Sequence, residues 1–199
     1  TATESGTGCQ GTQTVNVVVG NGINVTANTP APICAGQTAN LSVNGANSYV
    51  WSPATGLSGT TGNAVTASPS QTTTYTVIGT TNGCSDTAFV TVVVNPLPVI
   101  NTSSGSSICA GSSVTLQATG APNLSWSPAT GLNTTSGNSV VASPDQTTTY
   151  TVTGSDNGCS NSATVTVSVN ALPVVTASAN TSVCAGQSTT LNASGASSY

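Results

Sequence analysis

The chain repeats itself with a period of 75 residues, and this limits what it can fold into more than any other feature. Cys34-Ala35-Gly36 returns as Cys109-Ala110-Gly111 and again as Cys184-Ala185-Gly186. Trp51-Ser52-Pro53-Ala54-Thr55-Gly56-Leu57 returns at 126–132, and Gln71-Thr72-Thr73-Thr74-Tyr75-Thr76-Val77 at 146–152. Asn82-Gly83-Cys84-Ser85 returns at 157–160, with a weaker echo at Gly8-Cys9. Between 34–95 and 109–170, 38 of 62 positions are identical. A period this long means that each copy closes its own small core. The expected organisation is the last strand or strands of one module over 1–21, complete modules over 22–96 and 97–171, and the first part of another over 172–199.

Neither end falls on a repeat boundary. Thr1 aligns with Thr76 inside a strand pattern, and Tyr199 aligns with Tyr49, two residues short of the next tryptophan. Half a sandwich cannot cover its own core. The expectation is therefore that these residues, and any export leader, belong to a longer array. The alternative is a fibre subunit whose ends are completed by strands donated between chains.

Within the 22–96 module, period-2 runs separated by turn residues predict strands. They fall near 23–27, 38–44, 49–51, 64–68, 72–79 and 85–94, with a short one near Leu57. Ala39, Leu41 and Val43 point inward in the second, Tyr75 and Val77 in the sixth, and Ala88, Val90, Val92 and Val94 in the last. About seven short strands per 75 residues predicts an all-β fold of tandem immunoglobulin-like, seven-stranded β-sandwiches. Trp51 and Tyr75, with Trp126 and Tyr150, take the places of a core indole and a corner tyrosine. Their expected role is core packing. Asn95-Pro96-Leu97-Pro98 and Asn170-Ala171-Leu172-Pro173 are links short enough to limit bending between modules.

Composition excludes several functions. There is no Lys, Arg or His, and the only acids are Glu4, Asp86, Asp145 and Asp156. Without cations, the counterion release that drives binding to phosphate backbones is impossible, so nucleic acid is not an expected partner. Attraction to an anionic membrane fails for the same reason. No apolar run reaches a membrane span, so no membrane insertion is expected in this segment. General acid–base chemistry lacks its histidines and paired carboxylates, and calcium lacks clustered acids. The chain is read as non-enzymatic, with no cofactor and no metal.

Six cysteines stand on two ladders with the same 75-residue step. No CxxC spacing and no histidine suggest zinc, and no base is present to activate a thiolate. Disulfides in an oxidising, extracellular setting are the expectation. Two schemes compete. Pairing within modules joins Cys34 to Cys84 and Cys109 to Cys159, each loop stabilising by roughly 4 kcal/mol. Strand parity instead places Cys34 and Cys84 at opposite poles, and then Cys34 pairs with Cys159 across a junction. Bonding geometry allows only one scheme. In either, Cys9 and Cys184 find partners outside these residues.

In combination, Cys34-Ala35-Gly36, Trp51 to Leu57, Thr72 to Val77 and Asn82 to Ser85 resemble the tandem immunoglobulin-like or PKD-like repeats of very large cell-surface proteins of Bacteroidota, gliding-type adhesins included. The resemblance spans the chain. It implies type IX export and service as a stalk, filament or adhesin. PKD domains proper carry an acidic segment after the tryptophan, whereas Ser52-Pro53 follows Trp51 here, so immunoglobulin-like is the better description. Asp86-Thr87-Ala88 resembles that phylum's short O-glycosylation signal, which makes Thr87 a candidate site; the second module has Asn161-Ser162-Ala163 instead.

The expected function is a structural repeat region of an extracellular filament that presents or forms an adhesive fibre. The alternative is a ligand- or glycan-binding adhesin module. The expected partners are neighbouring repeats, other copies of the chain in a filament, and surface glycans. Strand edges are normally guarded by charge, above all lysine, and this chain has almost none. The expectation is that glycans or neighbouring copies cover them.

Overall fold

A computed structural model describes residues 2–3, 6, 10–16 and 22–198. The chain divides into two compact units, Thr1–Asn95 and Pro96–Tyr199. Every regular element among the described residues is a strand.

The first unit opens with β1 (Ala2–Thr3) paired to β2 (Gln10–Gly11). Its sandwich follows in β3 (Thr26–Ala27), β4 (Ile33–Cys34), β5 (Ala39–Asn44), β6 (Ser48–Ser52), β7 (Ala64–Ala67), β8 (Thr73–Thr81), β9 (Cys84–Val92) and β10 (Val94–Asn95). One sheet runs β3-β5-β7 and the other β6-β8-β9. β4 pairs in parallel with β10, the continuation of β9. This is the immunoglobulin-like division, with the chain's first strand split: β3 joins one sheet and β4 the other.

The second unit repeats this in β11 (Asn101–Thr102), β12 (Ser106–Cys109), β13 (Val114–Thr119), β14 (Asn123–Ser127), β15 (Ser139–Ala142), β16 (Thr148–Asp156) and β17 (Cys159–Asn170). Its sheets are β11-β13-β15 and β12-β17-β16-β14. Beyond them β18 (Thr176–Ala177) pairs with β19 (Ala193–Ser194), in the register that β3 and β5 use 150 residues earlier.

Alternation sets the cores. β5 reads buried-exposed throughout, with Ala39, Leu41 and Val43 inward. Trp51 and Tyr75 are 1% and 0% exposed, and Trp126 and Tyr150 are 3% and 0% exposed, so all four are core residues. Val77, Val92, Val152 and Val167 are fully buried beside them.

The edges are sealed by the chain itself. After β6 the polypeptide crosses to the other sheet through residues 53–63 and bonds to both edges on the way. Trp51 N–H donates to the Thr60 carbonyl at 2.8 Å, and an isolated bridge joins Val50 to Thr61. On the opposite sheet Ser58 N–H donates to Thr66 O at 2.9 Å and Ser68 N–H to Gly56 O at 2.7 Å. Residues 128–138 do the same in the second unit. Ser58 Oγ accepts from Thr66 N–H, and its counterpart Asn133 accepts from Val141 N–H through Oδ1. What reads in sequence as loose variation at a loop tip is one edge-capping job done by two side chains. On this side of each sandwich the chain's own connection occupies the edge groups.

Candidate functional site

The residues that repeat most strictly are those that tie each connection to its core. Trp51 Nε1–H donates to Gly62 O at 2.9 Å, and Trp126 to Gly137 O at the same distance. Tyr75 Oη–H donates to Thr55 O at 2.8 Å, and Tyr150 to Thr130 O. This departs from a corner tyrosine, which bonds to backbone a few residues upstream. Here the hydroxyl reaches back 20 residues and pins the Trp-Ser-Pro-Ala-Thr turn. Desolvation by burial raises the pKa of both tyrosines above the ordinary value. Thr72 and Thr147 hydroxyls accept from Val94 and Val169 N–H, holding the last strand.

Asp86 and Asn161 occupy matched positions and do different chemistry. Asp86 Oδ2 accepts from Val25 N–H at 2.8 Å, and that bond, then one from Thr87 N–H, lowers its pKa. Asn161 instead donates from Nδ2 to Pro98 O at 3.0 Å. Either way, the start of the last sandwich strand fastens the incoming chain. Thr87 is exposed and pairs across from Ile78. Val50, Ile78 and Phe89 are exposed on the outward face of β6-β8-β9. Ser125, Thr153 and Thr164 stand at the matched places in the second unit.

The cysteines separate by position and by oxidation state. Cys34 and Cys159 are disulfide-bonded, whereas Cys84, Cys109 and Cys184 are free thiols, the last two exposed. Cys9 lies outside the described residues. The within-module pairings are thereby corrected: neither Cys34–Cys84 nor Cys109–Cys159 forms. The reason is the pole at which each residue sits. Cys34 is in register with Asn95, at the trailing end of the last strand, while Cys84 begins that strand at the β8–β9 turn. About 11 residues at ~3.3 Å separate those levels by ~36 Å, against the ~7 Å upper limit between bonded Cα atoms. Cys109, in register with Asn170, is as far from Cys159 along β17.

No group of three or more Cys, Asp or Glu residues able to hold a metal occurs among the described residues, and no helix there is long and apolar enough to cross a membrane.

No protein-family model matches the sequence, and no curated protein is similar to it. Among solved structures it is similar to the insect immune protein hemolin, at 15% identity over 73% of this chain and 46% of that one, with a TM-score of 0.40. Extracellular domains 3–5 of Drosophila OTK give 12% over 74% and 62%, with a TM-score of 0.40. The I-band fragment I67–I69 of titin gives 14% over 75% and 66%, with a TM-score of 0.38, so this chain spans about two thirds of that fragment. The immunoglobulin-like assignment rests on strand order and register within each unit.

Proposed function

We propose that these modules are a structural stretch of an extracellular filament or stalk on a bacterial cell surface, of the kind found in Bacteroidota, and that they carry load rather than bind a ligand. One observation supports this above the others. The tryptophan, tyrosine and threonine bonds that tie each connection and each last strand into place recur in both sandwiches at the 75-residue step. A binding module concentrates its differences in the loops at one pole. Here even the substitution of Asn133 for Ser58 keeps the same acceptor on the same edge.

Each junction in this reading is clamped by a disulfide, Cys34 to Cys159. Cys34 stands beside Asn95. Cys159 stands two residues from Asn161, which holds Pro98. Only Pro96 and Leu97 lie between those anchors, and these two are the oxidised cysteines of the described set. Such a bond belongs to an oxidising compartment, in keeping with export.

Two measurements test the proposal. Immunogold labelling of intact cells should decorate extended surface material; signal confined to the cell interior refutes the assignment. A pepsin map of non-reduced native protein should yield a peptide joining Cys34 to Cys159. The mass of the peptic peptide that contains Asp86-Thr87-Ala88 reports whether Thr87 carries a glycan.

A second reading, an adhesive module, is favoured by the exposed Val50-Ile78-Phe89 patch of the first unit. If it is right, Phe89→Thr abolishes adhesion to the substratum while leaving the filament intact.

A further inference from the structure

The junction disulfide has a consequence that depends on where along each module its sulfurs lie. Cys34 closes β4, before the second sandwich strand begins, and Cys159 opens β17, the last. Everything between them, residues 35–158, includes β5 to β10 of the first unit and β11 to β16 of the second. We infer that tension applied along the chain runs from β4 through the sulfurs into β17 and bypasses residues 35–158, so that these modules are a covalently limited, nearly inextensible element.

This rests on the junction bond proposed above. With the bond closed, the covalent path between residues 22 and 175 consists of 22–34, the disulfide and 159–175. That is about 30 residues, or ~100 Å when straight at ~3.4 Å each, plus ~6 Å for the bond. With the bond open, the same interval is about 154 residues and ~520 Å. Residues 159–170 are already extended as β17, so unfolding gives that part of the path almost no extra length.

The period generalises the arrangement. Cys109 is the counterpart of Cys34, and Cys84 of Cys159. Both are free thiols, at the trailing pole of the second unit and the leading pole of the first. Wherever the same module precedes or follows, the same step bonds each of them to the module beyond. Loops of this kind interleave, because the next would open at Cys109, inside the loop that ends at Cys159. An array then carries two staggered covalent paths, and each skips most of the residues it spans. Unfolding of any one sandwich would expose its core without lengthening the filament. Reduction, not force, would be the way to extend it.

The experiment is force extension of the 199-residue chain held at its two ends, after native alkylation of the free thiols, with and without reductant. A Cys34→Ser, Cys159→Ser double variant serves as the open-loop control. The oxidised chain should release ~420 Å less contour length on full unfolding than the reduced chain or the variant, the length of about 124 residues. Equal release before and after reduction overturns the inference. If the pepsin map lacks the joined peptide, the load path fails while the surface assignment stands on the labelling result. If the bond and the short release are found but the protein is absent from the cell surface, the stalk assignment fails and the load path stands.

Discussion

The Trp51 indole is the most testable element of the edge-sealing arrangement, because it is at once core and clamp. Trp51→Phe keeps an aromatic ring in the pocket and the main-chain bond to Thr60 O, but removes the donor that holds Gly62 O at 2.9 Å. A part-buried acceptor deprived of its partner costs about 1–3 kcal/mol. The volume lost from a 1%-exposed side chain adds a cavity cost of about 1 kcal/mol. The sum, about 2–4 kcal/mol, compares with the roughly 4–11 kcal/mol that a 75-residue domain has at about 0.05–0.15 kcal/mol per residue, so at least about a fifth of its stability is at stake. The change should also be local. Released from Gly62, the connection should loosen over 60–63, and the amides of the β6 and β7 edges should lose hydrogen-exchange protection before the rest of the sandwich. Peptic hydrogen-exchange mass spectrometry reads both effects. Trp126, in the second unit, is then the sole fluorophore of its kind and reports whether that unit is untouched. A Trp51→Phe protein whose first unit loses under 0.5 kcal/mol, or whose loss is uniform with no excess at the two edges, refutes the clamp.

Three further outcomes follow from the same contacts. Asp86 has a lowered pKa in the fold, so its contribution is present above the ordinary carboxylate range and is lost as pH falls through the lowered value. Asp86→Asn should therefore shrink the first unit's acid-induced drop in urea midpoint, read by Trp51 in a Trp126→Phe background; an unchanged drop refutes this. Tyr75 and Tyr150 have raised pKa values, so their contribution is complete below the unfolded value near 10 and is lost as pH rises through the folded one. Both units should lose stability in alkali, and Tyr75→Phe should blunt the loss in the first unit only. A Cβ added at Gly79 would stand 2.5 Å from the Val25 side chain and 2.8 Å from Ala46 Cβ, so Gly79→Ala should cost about 1–3 kcal/mol by overpacking, measured by thermal unfolding.

Much of this fold was legible because the repeat supplied each pattern twice. Alternation placed Leu41, Val43, Tyr75 and Val77 inward, and the strands lie within a few residues of their expected bounds. The sequence leaves the cysteine pairing open between two schemes, and one bent strand decides between them. Pro30 and Pro32 mark a break after Ala27, but nothing in Ile23 to Cys34 announces that the chain rejoins the other sheet at Ile33, in parallel with Val94. Only that switch fixes Cys34 at the level of Asn95. The tyrosine hydroxyl's partner was hidden for a like reason: the acceptor, Thr55 O, is a main-chain atom whose position depends on the whole connection.

The charge-poor surface takes on a different meaning once that connection is placed. In most sheets lysines at the edge make pairing with a second chain costly. Here hydrogen bonds from residues 56–61 occupy edge groups of both β6 and β7, so charge is not needed on that side to keep the edges from a neighbour. On the other side the split first strand gives β3 to one sheet and β4 to the other, and each leaves an edge strand of only two residues, short enough to offer little to a neighbour. A sandwich guarded in this way needs less charge to keep its edges from annealing to those of a neighbouring copy. Close sequence identity between neighbouring modules would otherwise favour such annealing, because each edge would find its best match next door. The long connection and the short split strand both limit such annealing, and Trp51 holds one end of that connection to the core.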